Sequence, residues 1–134
     1  MATRHQARAS VITLLYANDI GNSEVEKFQD DILEDTKIRN KQKEFALNLY
    51  KGIIKNLKTV DDELNKHLKD WKINDIGNIE RAILRLGTYE ILFEKLDDAV
   101  IINEAIELAK ELGGDTAPKF INGVLDAVTK GKKK

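Results

Sequence analysis

Cysteine is absent from this chain of 134 residues, and proline occurs once. The absence of cysteine excludes a disulfide scaffold, a thiolate zinc site and a cysteine nucleophile. A sandwich of many short strands would need more turn residues than one proline and eight glycines, so the composition favours helices. No apolar run reaches the roughly 18 residues that a membrane span requires, and the polar N-terminus lacks a secretory apolar region. We expect a cytoplasmic protein.

Motifs for catalysis and for metal binding are also lacking. His5 and His67 are the only histidines, and neither lies in a metal-ligand pattern. The glycine pair at 113–114 has no adjacent Lys-Ser/Thr, and no nucleophile elbow or HExxH sequence occurs. Neighbouring carboxylates at 30–31 and 61–63 lie in hydrophilic segments where helices start. We therefore expect a protein that is not an enzyme and that needs no cofactor or metal.

The net charge of −1 conceals an uneven distribution along the chain. Residues 1–18 carry +2, residues 19–35 carry −6, residues 97–115 carry −5 and residues 129–134 carry +4. This excludes a wholly basic nucleic-acid coat protein, but a basic end can still contact a polyanion while acidic segments repel it. The same distribution is equally compatible with solvated helix faces.

Apolar residues recur with the helical period almost everywhere, and no credible strand appears. We expect an all-α fold of about six to seven helices in two small bundles, residues 1–72 and residues 73–134, with a basic tail at 130–134. Trp71 and its neighbours would form the junction. The predicted helices have stripes that begin at Ala7, Phe28, Phe45, Val60, Ile79, Ile102 and Ile121.

Local signals predict where several of these helices begin and end. Ser23 with Glu26, and Thr59 with Asp62, are typical of N-terminal caps. The glycine pair at 113–114 suits a left-handed C-terminal cap, and the tail from Gly131 through the terminal lysines is expected to fray.

Two basic features exceed what folding requires. Arg4 and Arg8 are neighbours on the first helix beside His5, and positive charge there opposes the helix dipole. At the start of the last helix, free backbone amides beside two glycines suit a phosphate, with Lys119 nearby. Phe120, also there, is either a core-edge residue or a platform on which an unpaired base stacks.

A second apolar stripe runs along the reverse face of the first helix. It comprises Ala9, Ile12, Tyr16 and Ile20, across from the stripe that begins at Ala7. The helix is therefore either sandwiched within the fold or open to a protein partner on this side. Glu90, on the apolar side of the fourth helix, needs a partner because an unpaired buried charge is very costly.

Several sequence motifs together resemble those of the NusB family of transcription antitermination factors. The segment INEAIELAK at 102–110, the Gly113-Gly114 break and KFINGVLD at 119–126 resemble its C-terminal signature. IERAILRLGTYEI at 79–91 and ARASVITLLY at 7–16 resemble its central and N-terminal helices. The resemblance implies an all-α fold of two helical subdomains and binding of boxA RNA, a single-stranded element of ribosomal RNA leaders.

The resemblance also implies partners and site residues. It implies a heterodimer with NusE, a ribosomal small-subunit protein, which joins RNA polymerase in a complex that supports processive ribosomal RNA transcription. Some relatives form homodimers. The implied partner surface includes Tyr16, from the second stripe with Ile12 and Ile20, and Glu80. The implied RNA surface includes Arg4, Arg8, Gly113, Gly114, Asp115, Lys119 and Phe120, with His5 beside the arginines.

Two departures from the family pattern bear on RNA affinity. The N-terminal segment has only two arginines, and Pro118 stands where many relatives carry histidine. RNA binding would then be weaker, or the contribution of NusE larger. One alternative is a protein-interaction module with little RNA binding of its own. Another is the RNA-binding accessory domain of an rRNA methyltransferase, although the chain ends at Lys134 without a cofactor-binding domain.

Overall fold

The structure, a computed structural model, describes residues 3–20, 33–34, 38, 40–68 and 72–132. This described part contains helices and no strand, which confirms the expected all-α fold. The predicted helix around Phe28, its cap at Ser23 and the junction at Trp71 lie outside the described residues. The α-helices are α1 (Arg4–Asp19), α2 (Asn40–Lys55), α3 (Leu57–Asn65), α4 (Asn78–Phe93), α5 (Asp98–Leu112) and α6 (Ala117–Lys132), with a 3₁₀ helix at Ile73–Asp75. Within these ranges, no helix is both long enough and apolar enough to cross a membrane.

The chain divides into two compact units, Met1–Ile54 and Lys55–Lys134. The sequence pattern instead suggests a division between residues 72 and 73. The physical reason for the difference is α3, which packs against α4 and α6 and so belongs with the later helices.

The first unit contains α1 and most of α2. Both helices bury residues at helical spacing, because one apolar stripe of each faces away from water. The buried side chains include Ala7, Val11, Leu14 and Leu15 on α1 and Ala46, Leu49, Tyr50 and Ile53 on α2. Asn40 begins α2 with a φ of 58°, a left-handed conformation that asparagine tolerates better than most residues.

In the second unit, α4 is the central helix and packs against α3, α5 and α6. It is buried continuously from Ala82 to Thr88, as its two apolar strips predict. At Gly87 a Cβ would lie 2.8 Å from Cδ1 of Leu125, so glycine lets α6 approach α4 closely. Glu90 is buried at 3% exposure.

Predictions about the start of α3 and the end of α6 are wrong for the described residues. α3 begins at Leu57, so Thr59 lies inside its first turn, and the capping residue Asn56 makes no side-chain hydrogen bond. The last helix continues through Gly131 to Lys132. Lys132 Nζ donates a hydrogen bond of 2.9 Å to the carbonyl oxygen of Ile91, and this contact holds the helix end that composition alone predicts to fray.

Candidate nucleic-acid interface

The first candidate surface is the start of α1, which a capping box fixes. The Oγ1 atom of Thr3 accepts a hydrogen bond of 3.1 Å from the backbone N–H of Gln6. The N–H of Thr3 donates one of 2.8 Å to Oε1 of Gln6. No acidic residue occupies the first turn, so the cations beside this N-terminus oppose the helix dipole.

Both arginines of this turn lie over one aromatic ring. The guanidinium carbon of Arg4 lies 4.9 Å from the ring centroid of Phe45, and that of Arg8 lies 5.2 Å from it. Both distances are within the range of a cation–π attraction. The sequence pattern places Phe45 in the apolar stripe of its helix and gives no indication of this contact with both arginines.

The two arginines differ in their access to solvent. Arg8 is buried at 5% exposure, whereas Arg4 is exposed and His5 is half-buried. A buried guanidinium cannot reach out to a phosphate as freely as an exposed one. Arg4 is thus the cation of this turn that presents itself to a ligand, and Arg8 reinforces the positive charge beneath it.

The second apolar stripe of α1 is divided between core and surface. Ile12 is 1% exposed, whereas Tyr16 is 38% and Ile20 is 58% exposed. Ile12 was expected at a partner surface, but its burial leaves no side-chain surface for a partner in this conformation. Tyr16 and Ile20 remain as an exposed apolar pair where α1 ends.

In the second unit, a tight glycine turn joins α5 to α6. Gly113 ends α5 with φ −98° and ψ −177°, which is extended backbone and not the predicted left-handed cap. A Cβ at Gly113 would lie 2.8 Å from the Cβ of Ala117 and 3.0 Å from the carbonyl oxygen of Ala109. Glycine is needed here because the two helix ends approach so closely. A Cβ at Gly114 would meet nothing within 4 Å.

The first turn of α6 is anchored by buried residues and exposes polar and aromatic side chains. Ala117 is 4% and Ile121 0% exposed, which anchors the turn. Between them, Lys119 is exposed and Phe120 is 36% exposed. Asp115 is also exposed, in the turn itself. A cation and an aromatic face thus share one short segment, a combination that suits a phosphate with an unpaired base.

Glu80 lies beside the same turn. A Cβ at Gly113 would be 3.7 Å from Oε1 of Glu80, and one at Gly77 would be 2.6 Å from Oε2. The resemblance assigns Glu80 to partner binding and Gly113 to RNA binding, and the second unit brings these two residues together. Their separation of more than thirty residues along the chain gave no indication of this.

The carboxylates considered as catalytic pairs at 61–63 are engaged in ion pairs. Asp61 receives two hydrogen bonds from Arg85, of 2.9 and 2.8 Å. Glu63 lies 2.9 Å from Nε2 of His67, and this hydrogen bond is the main reason that the pKa of Glu63 is lowered. Among the described residues, no group of three or more His, Cys, Asp or Glu side chains is placed to hold a metal ion.

Comparisons with known proteins show which family the chain resembles in sequence and fold. The model of the NusB family matches residues 5–130. The transcription antitermination protein NusB of a Nitratiruptor species is 62% identical over 97% of this chain and 94% of its own length. T. maritima NusB superposes with a TM-score of 0.88 at 37% identity, covering 96% of this chain and 92% of that one. A crystal structure of antitermination factors NusB and NusE in complex with double-stranded RNA superposes with a TM-score of 0.86 at 30% identity, covering 96% of each chain.

Proposed function

The chain belongs to the NusB family of transcription antitermination factors, which are not enzymes, and we propose that it binds boxA-type single-stranded RNA of ribosomal RNA leaders together with NusE. The RNA–protein complex would join RNA polymerase in the cytoplasm and support processive ribosomal RNA transcription. The observation that carries the proposal is the exposed pair Lys119 and Phe120 on the first turn of α6, directly after the glycine turn.

The chemistry of that turn fits a single strand. The ammonium group of Lys119 would bind a phosphate, whereas the backbone N–H groups of Ala117 and Phe120 are already bonded to carbonyl oxygens. Stacking of one base on the exposed ring of Phe120 would contribute about 1–3 kcal/mol. Arg4 would add a phosphate contact from the first unit, and Gly113 and Gly114 would let the RNA backbone approach without side-chain obstruction.

Tyr16 and Ile20 support the NusE part of the proposal. A half-exposed tyrosine next to an exposed isoleucine is the kind of apolar anchor that protein interfaces bury. The solved NusB–NusE complex supports such a heterodimer within the family. We assign Ile12 the role of fixing this part of α1 from beneath, and Glu80 a contact with a cation of the partner. A homodimer that buries the same apolar pair would compete with NusE.

A salt titration of RNA binding by the preformed heterodimer tests this function. The RNAs are a single-stranded boxA and a duplex of the same sequence, because the solved NusB–NusE complex contains double-stranded RNA. We expect affinity for the single strand to fall with salt, and Lys119→Gln to reduce the slope by about 0.7. Lys110→Gln, which removes another exposed lysine, serves as the matched control.

The same titration identifies the main alternative. If NusE binds normally while RNA adds no affinity at any salt concentration, the chain is a protein-interaction module and the RNA part of the proposal is wrong. Preference for the duplex over the single strand would contradict the assignment of Phe120 to base stacking.

A further inference from the structure

The outer face of α2 carries a shallow groove that the proposed RNA surface does not include. Its volume is about 380 Å³. Clefts that hold small ligands begin at about 300 Å³, so the groove has room for roughly one nucleotide unit. It is lined by Asn40, Lys43, Glu44, Leu47, Asn48 and Lys51.

The lining combines the groups that a nucleotide requires. Lys51 is exposed, as is Asn48, while Leu47 is half-buried and supplies an apolar floor. Lysine ammonium groups bind phosphates, and asparagine amides both donate to and accept from base edges and ribose hydroxyls. Glu44 can only accept hydrogen bonds while ionised, which suits the amino group of a base.

The groove is continuous with the arginine pair through α2 itself. At about 3.6 residues per turn, Lys41 lies on the helix surface between the groove and Phe45. The ring of Phe45 in turn makes cation–π contacts with Arg4 and Arg8. All of these residues belong to the first compact unit. The groove together with Lys41 and Phe45 forms a track that contains three lysines and one glutamate, so the charge of this track is complementary to a polyanion.

We propose that this groove binds RNA nucleotides that flank boxA, after the strand has passed Arg4 and Phe45. The inference rests on the proposed function and extends it, because it assigns part of the RNA surface to a helix that the family motifs do not cover. Lys41 and Lys51 would neutralise phosphates of the flanking segment, and Asn48 would contact its base or ribose. The bound RNA would therefore be longer than boxA alone.

Two RNAs and two double variants test the inference. The RNAs are boxA alone and boxA with native flanks on both sides, each titrated with salt against the heterodimer with NusE. Lys41→Gln with Lys51→Gln removes the track's exposed lysines. Lys58→Gln with Lys110→Gln, whose side chains are 89% and 60% exposed, removes the same charge elsewhere. We expect the track variant to reduce the slope of the salt dependence by about 1.4 for the flanked RNA. The slope for boxA alone should stay unchanged.

A second variant probes the groove without changing its size. Asn48→Asp adds one negative charge there, and Asn103→Asp adds the same charge at an exposed position of α5. We expect Asn48→Asp to weaken binding of the flanked RNA several-fold more than Asn103→Asp does. Equal slopes for the two double variants, or an equal loss with boxA alone, would overturn the inference while leaving boxA binding intact. Failure of the unmodified protein to bind either RNA would overturn the proposed function as well.

Discussion

The guanidinium carbon of Arg8 lies 5.2 Å from the ring centroid of Phe45, although Arg8 is only 5% exposed. The ring thus contacts a nearly buried cation, and the guanidinium carbon of Arg4, an exposed residue, lies 4.9 Å from the same centroid. One aromatic residue organises the positive charge at the start of α1.

Phe45→Leu should lower RNA affinity although Phe45 itself need not touch RNA. The substitution keeps an apolar side chain but removes two cation–π contacts, each worth about 0.5–1 kcal/mol at exposed sites. We expect a loss of at most about 5- to 27-fold in RNA affinity, since each 1.4 kcal/mol is tenfold, measured by fluorescence anisotropy with NusE present. Phe93→Leu, at a 45% exposed ring on α4 that stacks on Tyr89, is the control. Equal RNA affinities of the two variants would contradict a role of Phe45 in RNA binding.

Gly113→Ala should destabilise the second unit. The added methyl group would lie 2.8 Å from the Cβ of Ala117 and 3.0 Å from a backbone oxygen, so the helix ends must move apart. Overpacking of this kind costs about 1–3 kcal/mol, which urea denaturation would measure. Gly114→Ala meets no atom within 4 Å and should be neutral or stabilising by up to about 1 kcal/mol. If both variants unfold at the same urea concentration, the close approach at Gly113 is not a constraint.

Asp61→Ala should cost far more stability than Asp62→Ala. Asp61 pairs with Arg85, whose side chain is 6% exposed, and removing one partner of a buried ion pair costs about 3–5 kcal/mol because the other charge stays buried. The side chain of Asp61 is 19% exposed, so we expect the lower end of this range. Asp62 is 59% exposed and pairs with Lys58, a surface contact worth about 0–1 kcal/mol. Chemical denaturation at neutral pH would give both values, and similar losses would contradict the buried pair.

Acidification should weaken the hydrogen bond between Glu63 of α3 and His67. The pKa of Glu63 is lowered from 4.5, chiefly by its hydrogen bond with His67. A carboxyl group with a lowered folded-state pKa stabilises the protein above its unfolded pKa, and this contribution is lost as the pH falls through the folded value. Glu63→Gln should therefore be less stable than the unmodified protein at pH 7, with the difference shrinking below about pH 4. Glu107→Gln, at a more exposed pair, is the control, and a difference independent of pH would contradict the assignment.

The helices could be predicted from the sequence because most carry apolar stripes of helical period. The continuous burial of α4 also follows from its two strips. The start of α3 could not be predicted, because Thr59 and Asp62 have the pattern of a cap although the helix begins at Leu57 and packs against α4 and α6. A local pattern does not record such tertiary contacts.

The candidate site could be predicted only in part. Lys119 and Phe120 follow from their position at a helix start beside glycines. The role of Phe45 could not be predicted, because an aromatic residue in a core-like stripe gives no signal of two arginines more than thirty residues earlier. The proximity of Glu80 to Gly113 and the pairing of Asp61 with Arg85 likewise depend on how distant segments pack.

Recognition of boxA is measured by comparing its binding with that of a scrambled RNA of equal length and composition, for the protein alone and for its heterodimer with NusE. Phosphate contacts are common to both RNAs, so a difference between them measures base recognition. We expect boxA to bind more tightly than the scrambled RNA, with the larger preference in the heterodimer. Equal affinity for the two RNAs, with and without NusE, would contradict this expectation.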